Sequence, residues 1–331
     1  MAVTINDIAK KAGVSQTTVS RVLNKSGYVK ESTRVKIEAA IKETNYIPSA
    51  IARSLSKSES NTIGVILPDI TNIYFAQLIK GISEVVEKNN LNIIFFNSDN
   101  VLSKEVRALK ILKEQRIKGI IMTPGFGEEI NNRDYIDIIK SFNIPIVLAS
   151  ADLKFTKLSG IFVDNVKGGF IATEKLIKEG HRNIAIITGM LESEPVADRI
   201  TGYKKALKKY NIKINDNYIL NGKFDMDTSY KLTKGIIKNN KEVTAVIVCS
   251  NRMTMGVIKC LRDNKLNIGI DIAVTAFDRM NVLEMFGVDI TYIDECPLEL
   301  GKKSAKLLCD IFKGNIIDTK RIILEPVVVS N

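Results

Sequence analysis

Apolar residues near the start of the chain recur at the spacing of short amphipathic helices. Ile5, Ile8, Ala9 and Ala12 follow an i, i+3, i+4, i+7 pattern, and Gly13 supplies the turn that ends the helix they predict. Two further helices are predicted by the inward-facing positions Val14, Val19, Val22, Leu23, Ile37, Ala40, Ile41 and Thr44. The chain therefore begins with a predicted helix-turn-helix unit of about 45 residues.

A short segment follows this unit. Pro48 stands at a first helical position, and Ile51, Ala52 and Leu55 fall on one side of the one or two helical turns that it can start. A helix of this length is not stable by itself. The polar residues 56–61 then predict a linker.

From residue 62 onward, strand-like apolar runs alternate with helical patterns. The predicted strands lie at residues 62–67, 92–97, 119–122, 144–148, 160–163, 183–188, 219–224, 244–249, 274–277, 290–293 and 321–329. The predicted helices span residues 75–88, 104–115, 167–179, 197–210, 228–238, 252–264 and 298–312. This alternation predicts parallel sheets covered by helices, with ligands bound beyond the carboxyl ends of the strands. The predicted fold class is an all-α helix-turn-helix head followed by an α/β core of two parallel-sheet subdomains.

Positive charge is concentrated at the N-terminus. The chain of 331 residues has a net charge of +11, and residues 1–60 hold ten Lys and Arg against five acids. The remaining residues are close to neutral for their length. This distribution is typical of a head that binds a polyanion.

The composition narrows the classes of function. No apolar run approaches the ~18 residues of a membrane helix, and the first residues lack a secretory pattern, so we expect a cytoplasmic protein without a membrane partner. The four cysteines form no C-x-x-C pair and predict buried thiols rather than disulfides. The chain has one histidine, His181, which disfavours a zinc site of the His/Cys type and most Ser/His/Asp arrangements. It also lacks the pattern of a glycine-rich phosphate-binding loop. We therefore expect no enzyme, no metal and no cofactor.

Several ordered motifs carry a resemblance to a known family. The most specific is TINDIAKKAGVSQTTVSRVLN at residues 4–24, followed by AIARSL at 50–55, IGVILPD at 63–69, GHRNIA at 180–185 and Phe277-Asp278. Together they resemble the LacI/GalR bacterial transcription regulators over essentially the whole chain. The resemblance implies a homodimer whose heads bind a palindromic operator in double-stranded DNA. It also implies a periplasmic-binding-protein-like core that senses a small-molecule effector.

The resemblance sets the domain boundaries that we expect. These are residues 1–46 for the helix-turn-helix head, 47–61 for a hinge helix and linker, 62–162 with 293–322 for an N-terminal core subdomain, and 163–292 with 323–331 for a C-terminal core subdomain.

The second predicted helix presents a polar face suited to base recognition. Gln16 can contact adenine, Thr17 a thymine methyl group or an acceptor, and Arg21 the O6 and N7 of guanine. The resemblance adds residues that contact the DNA backbone or flank the site, namely Thr4, Ser15, Asn24 and Tyr28. The alternative is that these polar side chains simply face solvent.

The resemblance gives the segment after Pro48 a second DNA-binding role. It implies a hinge helix that forms on the operator, with Ala52 and Leu55 in contact with DNA and Leu55 wedged into the minor groove. Such a wedge unstacks a base step and bends the duplex. The alternative is that Leu55 is an ordinary apolar position of an amphipathic turn.

The resemblance also places an effector in the cleft between the core subdomains. The positions that line it fall on Tyr74, Phe75, Arg199, Phe224, Ser250 and Asp278. Aromatic rings can cover the apolar face of a sugar, Asp278 can accept from hydroxyls and Arg199 can donate to oxygens. The alternatives are that Phe75 and Phe224 belong to the core and that Arg199 and Asp278 form a salt bridge.

Some positions depart from the family pattern. Asn251 replaces an acid, Arg252 and Arg279 add positive charge, Glu295 stands at a usual Gln, and Ser150 replaces an Asp. If these side chains reach the ligand, the cleft is more cationic than a neutral-sugar site. This pattern favours an effector with a phosphate or carboxylate, such as a sugar phosphate.

Three other functions compete with an operon-specific repressor controlled by a sugar or sugar phosphate. An enzyme lacks the necessary motifs. A periplasmic sugar-binding protein would share the core but not the head. A global catabolite-control regulator, which uses a phosphorylated carrier protein as corepressor, is favoured by the resemblance of residues 97–99 and 148–150 to that subgroup.

Overall fold

The computed structural model describes residues 3–24, 26–46, 60–127 and 133–329. The chain divides into two units, Met1–Ser60 and Asn61–Asn331, and each is described by itself. The predicted hinge residues Ala52 and Leu55 lie outside the described residues.

The described part of the first unit contains three helices: α1 (Ile5–Ala12), α2 (Gln16–Leu23) and α3 (Glu31–Thr44). Thr4 caps α1 in a capping box with Asp7, and Gly13 ends α1 in the left-handed conformation at φ 66°. The core of the unit is Ile8, Ala9, Val19, Ile37 and Ala40, all of which the sequence pattern predicts to face inward. The predicted helix-turn-helix unit is therefore present.

The second unit alternates strands and helices. In chain order its elements are β1 (Thr62–Leu67), α4 (Ile73–Lys88), β2 (Asn92–Asn97), α5 (Leu102–Glu114), β3 (Gly119–Met122), α6 (Arg133–Lys140), β4 (Ile146–Ser150), β5 (Ser159–Val163), α7 (Asn165–Lys178), β6 (Ile184–Thr188), α8 (Glu194–Lys209), β7 (Ile219–Asn221), α9 (Met226–Asn239), β8 (Ala245–Val248), α10 (Asn251–Asp263), β9 (Ala273–Phe277), α11 (Asn281–Met285), β10 (Thr291–Asp294), α12 (Pro297–Phe312), β11 (Arg321–Leu324) and β12 (Val327–Val329).

These strands form two six-stranded sheets. The first has the order β11-β5-β4-β3-β1-β2 and is parallel throughout. Helices α4 and α12 cover one face of it, and α5 and α6 cover the other. The second has the order β12-β10-β9-β8-β6-β7, in which only β12 is antiparallel to its neighbour. The predicted architecture of two parallel-sheet subdomains is confirmed, with this one antiparallel edge strand as a correction.

The chain crosses between the sheets three times. The crossings follow β5, β10 and β11. The boundaries predicted at 162/163, 292/293 and 322/323 fall inside these same three strands, one or two residues before each strand ends, and the subdomain bounds stay predictions. The predicted single strand at 321–329 is in fact two strands in different sheets, separated by Glu325 and Pro326. Proline has no N–H to donate to a ladder, so the strand cannot continue through it. No helix among the described residues is both long and apolar enough to cross a membrane.

Candidate functional site

Helix α2 presents an exposed polar face in the first unit. Gln16 and Thr17 occupy its first turn and Arg21 lies one turn later, and all three side chains are exposed. Val19 on the opposite side is completely buried. The amphipathic division of this helix therefore leaves the predicted base-contacting residues accessible.

The other predicted DNA-contacting residues of the head stabilise helix ends or lie at its surface. The Thr4 hydroxyl donates to Asp7 Oδ2 at 2.7 Å, and Ser15 Oγ accepts from the Thr18 N–H at 3.2 Å. Asn24 donates to Ser20 Oγ at 3.2 Å, and Tyr28 is 88% exposed. Thr4 and Ser15 thus fix where α1 and α2 begin, and their contacts with DNA stay predictions.

A cleft of about 690 Å³ opens in the second unit between loops of the two sheets. Its lining residues follow the carboxyl ends of β1, β2, β3 and β4 on one side and of β6, β7, β8 and β10 on the other. Ligand sites in open parallel sheets form at this edge, and the volume falls in the usual range of about 300–1,000 Å³. The cleft is therefore the candidate ligand site.

Aromatic rings face each other across this cleft. The Phe126 and Phe224 ring centroids are 5.9 Å apart at 45°, and they come from loops of different sheets. Tyr74 and Phe75 add an edge-to-face pair with centroids 5.2 Å apart. Gly189 makes room for Phe224, because a Cβ at this glycine would lie 2.1 Å from the ring. The lining therefore offers flat apolar surfaces on both sides.

Arg199 lies at the base of the cleft and is held by the protein itself. Its Nε donates to Asn165 Oδ1 at 2.8 Å, its Nη1 donates to the Cys249 carbonyl at 2.7 Å, and its Nη2 forms an ion pair with Glu295. The guanidinium carbon also stacks 4.1 Å from the Phe277 ring centroid. The side chains of Arg199 and Glu295 are only 9% and 4% exposed. The ion pair with Glu295 therefore compensates most of the positive charge of Arg199.

Asp278 is not among the residues that line the cleft, although it follows β9 at the same edge. The considered salt bridge with Arg199 is replaced by the pair with Glu295. Burial and then the negative charge of Glu295 raise the pKa of Asp278 to about 7, against the opposing effect of Arg199. Asp278 is therefore partly protonated near neutral pH.

We expect this protonation to give the folded protein a measurable dependence on pH. The folded state keeps a proton on Asp278 between its ordinary pKa of 3.8 and about 7, whereas the unfolded chain releases it. The contribution of this group to stability therefore falls as the pH rises through that interval. Asp278→Asn cannot ionise, so it should gain stability relative to the parent between about pH 5 and about pH 8.

Urea unfolding of both proteins at the two pH values measures this difference. Carboxylates with the opposite slope, such as Glu174, whose pKa hydrogen bonding from Lys209 lowers to about 2, are common to both proteins and cancel. If the difference in stability between Asp278→Asn and the parent is the same at both pH values, the raised pKa of Asp278 is contradicted.

Polar contacts also join the two sides of the cleft. The Asn251 amide at the start of α10 donates to Asn72 Oδ1 at 2.8 Å. Arg252 lies 3.9 Å from Asp69 and makes a second contact between the sides. On the side of the first sheet alone, Tyr74 Oη lies 2.8 Å from Ser150 Oγ. Three of the departures from the family pattern, Asn251, Arg252 and Ser150, are therefore engaged in contacts within the protein.

The charges around the cleft are largely compensated. The described lining residues include six acids and four bases, which are Asp69, Asp99, Asp152, Glu192, Glu194, Glu295, Lys154, Arg199, Lys223 and Arg252. Ion pairs join Asp99 to Lys104 and Asp152 to Arg321. Arg279 is exposed and is not among the described lining residues. The expected excess of positive charge is therefore not present in the described lining.

Five of the six residues predicted for the effector lie around this one cleft, namely Tyr74, Phe75, Arg199, Phe224 and Ser250. Their role in binding stays a prediction. Sequence reasoning missed Phe126, Asn165 and the pairing role of Glu295. The position of Phe126 in the loop that follows the predicted strand at 119–122 is the signal that could have found it.

Comparisons with known proteins agree with both units. The family model described as "Bacterial regulatory proteins, lacI family" matches residues 4–49, and the model described as "Periplasmic binding protein domain" matches residues 63–316. "Catabolite control protein A" of Priestia megaterium is 33% identical over 321 residues, which cover 96% of this chain and 95% of that protein.

Two further relatives match over nearly the full length. "HTH-type transcriptional repressor PurR" of Vibrio campbellii is 32% identical over 327 residues, covering 98% of this chain and 97% of that protein. The solved Lac repressor dimer bound to operator and the anti-inducer ONPF is 26% identical, with a TM-score of 0.86 and coverage of 100% of this chain and 98% of that chain. The similarity thus includes both the helical head and the α/β core.

Proposed function

Because the chain belongs to the lacI family of bacterial regulatory proteins, we propose that it represses transcription from an operator whose binding is controlled by a neutral sugar in the cleft. It is a DNA-binding transcriptional regulator with a ligand-binding core, and its relatives are regulators rather than enzymes. The proposal that the ligand is a neutral sugar rests on a single observation, a cleft with facing aromatic rings and compensated charge.

The charges that remain in the cleft argue against an anionic ligand. A phosphate needs several uncompensated cations or N–H donors, whereas Arg199 is already paired with Glu295. Lys154 and Lys223 lie in a lining that also contains Glu192 and Glu194. Carboxylates accept hydrogen bonds from hydroxyl groups, and aromatic faces cover the apolar face of a sugar ring. These features favour a neutral polyol over the sugar phosphate that the sequence suggested.

Exposed side chains on α2 support recognition of double-stranded DNA by the head. Gln16, Thr17 and Arg21 lie on the N-terminal turns of a helix whose opposite side is buried, which is how such helices read a major groove. A Lac repressor relative is a dimer bound to operator. By analogy with that dimer, we propose that two copies of this chain bind a palindromic site, with one head at each half-site.

The cleft supplies a physical route for control. Its lining comes from loops of both sheets, so a ligand that contacts both changes the free energy of their relative arrangement. A coupling of about 1–3 kcal/mol between ligand and operator is typical of such systems. Linkage requires that operator DNA change the affinity for the sugar by the same factor.

A thermal-shift screen with paired ligands tests the proposed ligand class. We expect a neutral sugar among D-ribose, D-glucose and cellobiose to raise the melting temperature, and its phosphorylated counterpart to raise it less. At a concentration one hundred times its Kd, such a ligand stabilises the protein by about 2.7 kcal/mol. Stabilisation by the phosphorylated members alone would overturn the neutral-sugar proposal and leave the DNA-binding role untouched.

A regulator with a phosphorylated carrier protein as corepressor is the second candidate. It is favoured by the 33% identity to a protein named catabolite control protein A. The two candidates differ in which molecule changes the affinity of this protein for its operator, a sugar or the phosphorylated carrier protein. An operator site selected from random duplexes allows both to be tested. An increase of operator affinity on addition of the phosphorylated carrier, with no effect of any sugar, would favour this second candidate.

A further inference from the structure

Glu105 is a completely buried acid outside the ion pairs described so far. It lies on α5, on the face of the first sheet opposite α4, and its side chain has no exposed surface. No ion pair among the described residues includes it. A glutamate is rarely buried without a charged partner, since removal of a carboxylate from water is costly. Its presence therefore requires an explanation.

Both oxygens of this carboxylate hold other parts of the protein. Glu105 Oε1 accepts from the Gly125 N–H at 2.7 Å, and Oε2 accepts from the Tyr135 hydroxyl at 2.6 Å. Gly125 belongs to the loop after β3, and Tyr135, only 2% exposed, belongs to α6. One carboxylate therefore ties this loop to two helices.

The tied loop forms one wall of the cleft. Residues Thr123–Gly127 all line it, and Phe126 is the residue that faces Phe224 from the other sheet. Gly125 fits closely, because a Cβ there would lie 3.0 Å from Glu105 Oε1. The hydrogen bond to Gly125 thus acts on the residue directly before Phe126.

We propose that Glu105 is a positioning residue of the cleft, which fixes the loop Thr123–Gly127 so that Phe126 faces Phe224 before a ligand binds. Its effect on ligand affinity rests on the function proposed above, whereas its effect on the loop does not. Burial raises the pKa of Glu105, and the bonds from Tyr135 and Gly125 lower it, so the same two bonds also stabilise the charged form.

The chemistry of the two bonds provides matched variants. Glu105→Leu has a similar size and removes both acceptors. Glu105→Gln can keep both bonds, because its oxygen accepts from Gly125 while its amide donates to a Tyr135 hydroxyl that has turned to accept. If Glu105 positions the loop Thr123–Gly127, Glu105→Leu should make this loop mobile, whereas Glu105→Gln should keep it in place.

A tryptophan introduced in place of Phe126 reports on the loop without any ligand. The chain contains no tryptophan, so Phe126→Trp gives a single emission signal. In this background we expect Glu105→Leu to shift the emission maximum to the red and to increase quenching by acrylamide. In the protein that keeps Phe126, the Gly125 amide should exchange with deuterium about tenfold faster, a factor that corresponds to about 1.4 kcal/mol. Glu105→Gln should restore both values.

Thr233→Val is the matched control. Thr233 is fully buried on α9 beside the second sheet, and its hydroxyl donates to the Ser229 carbonyl at 2.7 Å. This variant also removes a buried hydrogen bond and should leave the emission of the introduced tryptophan unchanged. An unchanged emission in Glu105→Leu, an equal change in Glu105→Gln, or an equal change in the control would each overturn the proposal.

A second variant keeps the test decisive if Glu105→Leu does not fold. Tyr135→Phe removes the partner of Oε2, which orients the carboxylate toward Gly125, and so weakens the bond to Gly125 without removing its acceptor. In the Phe126→Trp background we expect a smaller red shift and a smaller increase in quenching than full release would give. A folded Tyr135→Phe protein with the parental emission and quenching would overturn the proposal. The fluorescence and exchange measurements need no ligand. A negative result there would reject the role of Glu105, whereas a negative sugar screen would reject only the proposed ligand class.

Discussion

Replacement of Glu295 by alanine is expected to lower the free energy of unfolding by about 3–5 kcal/mol. The variant leaves the guanidinium of Arg199, whose side chain is 9% exposed, without the partner of its ion pair. Truncation of one member of a buried pair is costly because the other charge stays out of water. Urea unfolding followed by far-ultraviolet circular dichroism measures the loss.

Controls separate this effect from the loss of an ordinary ion pair. Glu84→Ala breaks a partly exposed pair with Lys302 at 2.8 Å and should cost much less stability, because ion pairs that water can reach contribute little. The double variant Arg199→Met with Glu295→Leu removes both charges and should recover most of the stability. A loss in Glu295→Ala no larger than in Glu84→Ala would refute the buried-pair interpretation.

Asp278 adds a further expectation for the same pair. After burial, the negative charge of Glu295 is the second cause of the raised pKa of Asp278. Removal of Glu295 should therefore lower the pKa of Asp278. An ionised Asp278 can then partly compensate Arg199. Asp278→Asn in the Glu295→Ala background should therefore cost more stability than the two single changes predict by addition.

Periodicity in the sequence predicted most of the fold. The spacing of Ile5, Ile8 and Ala9 and the turn at Gly13 depend on local sequence, and the structure agrees with them. The predicted strand at residues 144–148 instead runs from Ile146 to Ser150. Pro145 cannot donate within a ladder, so the strand begins after it. Helix α11 was missed because its five residues are too few to establish a period. Helix α6 was also missed, although its buried residues Tyr135, Ile136 and Ile139 have helical spacing and it is as long as α1 and α2.

The charge of the cleft could not be predicted in the same way. Arg252 and Glu295 were read as isolated departures, but their partners Asp69 and Arg199 lie far away in the sequence. The contact of Asn72 with Asn251 spans 179 positions. A sequence shows that a residue follows a strand, and therefore lies near the site, but not which distant side chain pairs with it. The anionic effector was inferred from charges without their partners.

Arg21→Ala is expected to reduce discrimination at one base pair of each half-site by about 1–3 kcal/mol, the usual contribution of a bidentate contact to guanine. Arg21 is exposed one turn after Thr17 on α2, so it lies on the same face as the predicted base-contacting residues. Selection of preferred sites from random duplexes, with parent and variant in parallel, measures the change position by position.

Lys11→Ala is the matched control for Arg21→Ala, because it removes the same unit of charge from the same head. Lys11 lies in the last turn of α1, not on α2, and pairs with Glu43 of α3 at 2.8 Å. Its loss should reduce affinity for all sites to a similar extent, with a smaller dependence on salt and the same base preferences. If Arg21→Ala behaves like Lys11→Ala and keeps every base preference of the parent, Arg21 contacts phosphate rather than a base edge, and another residue of α2 reads the guanine.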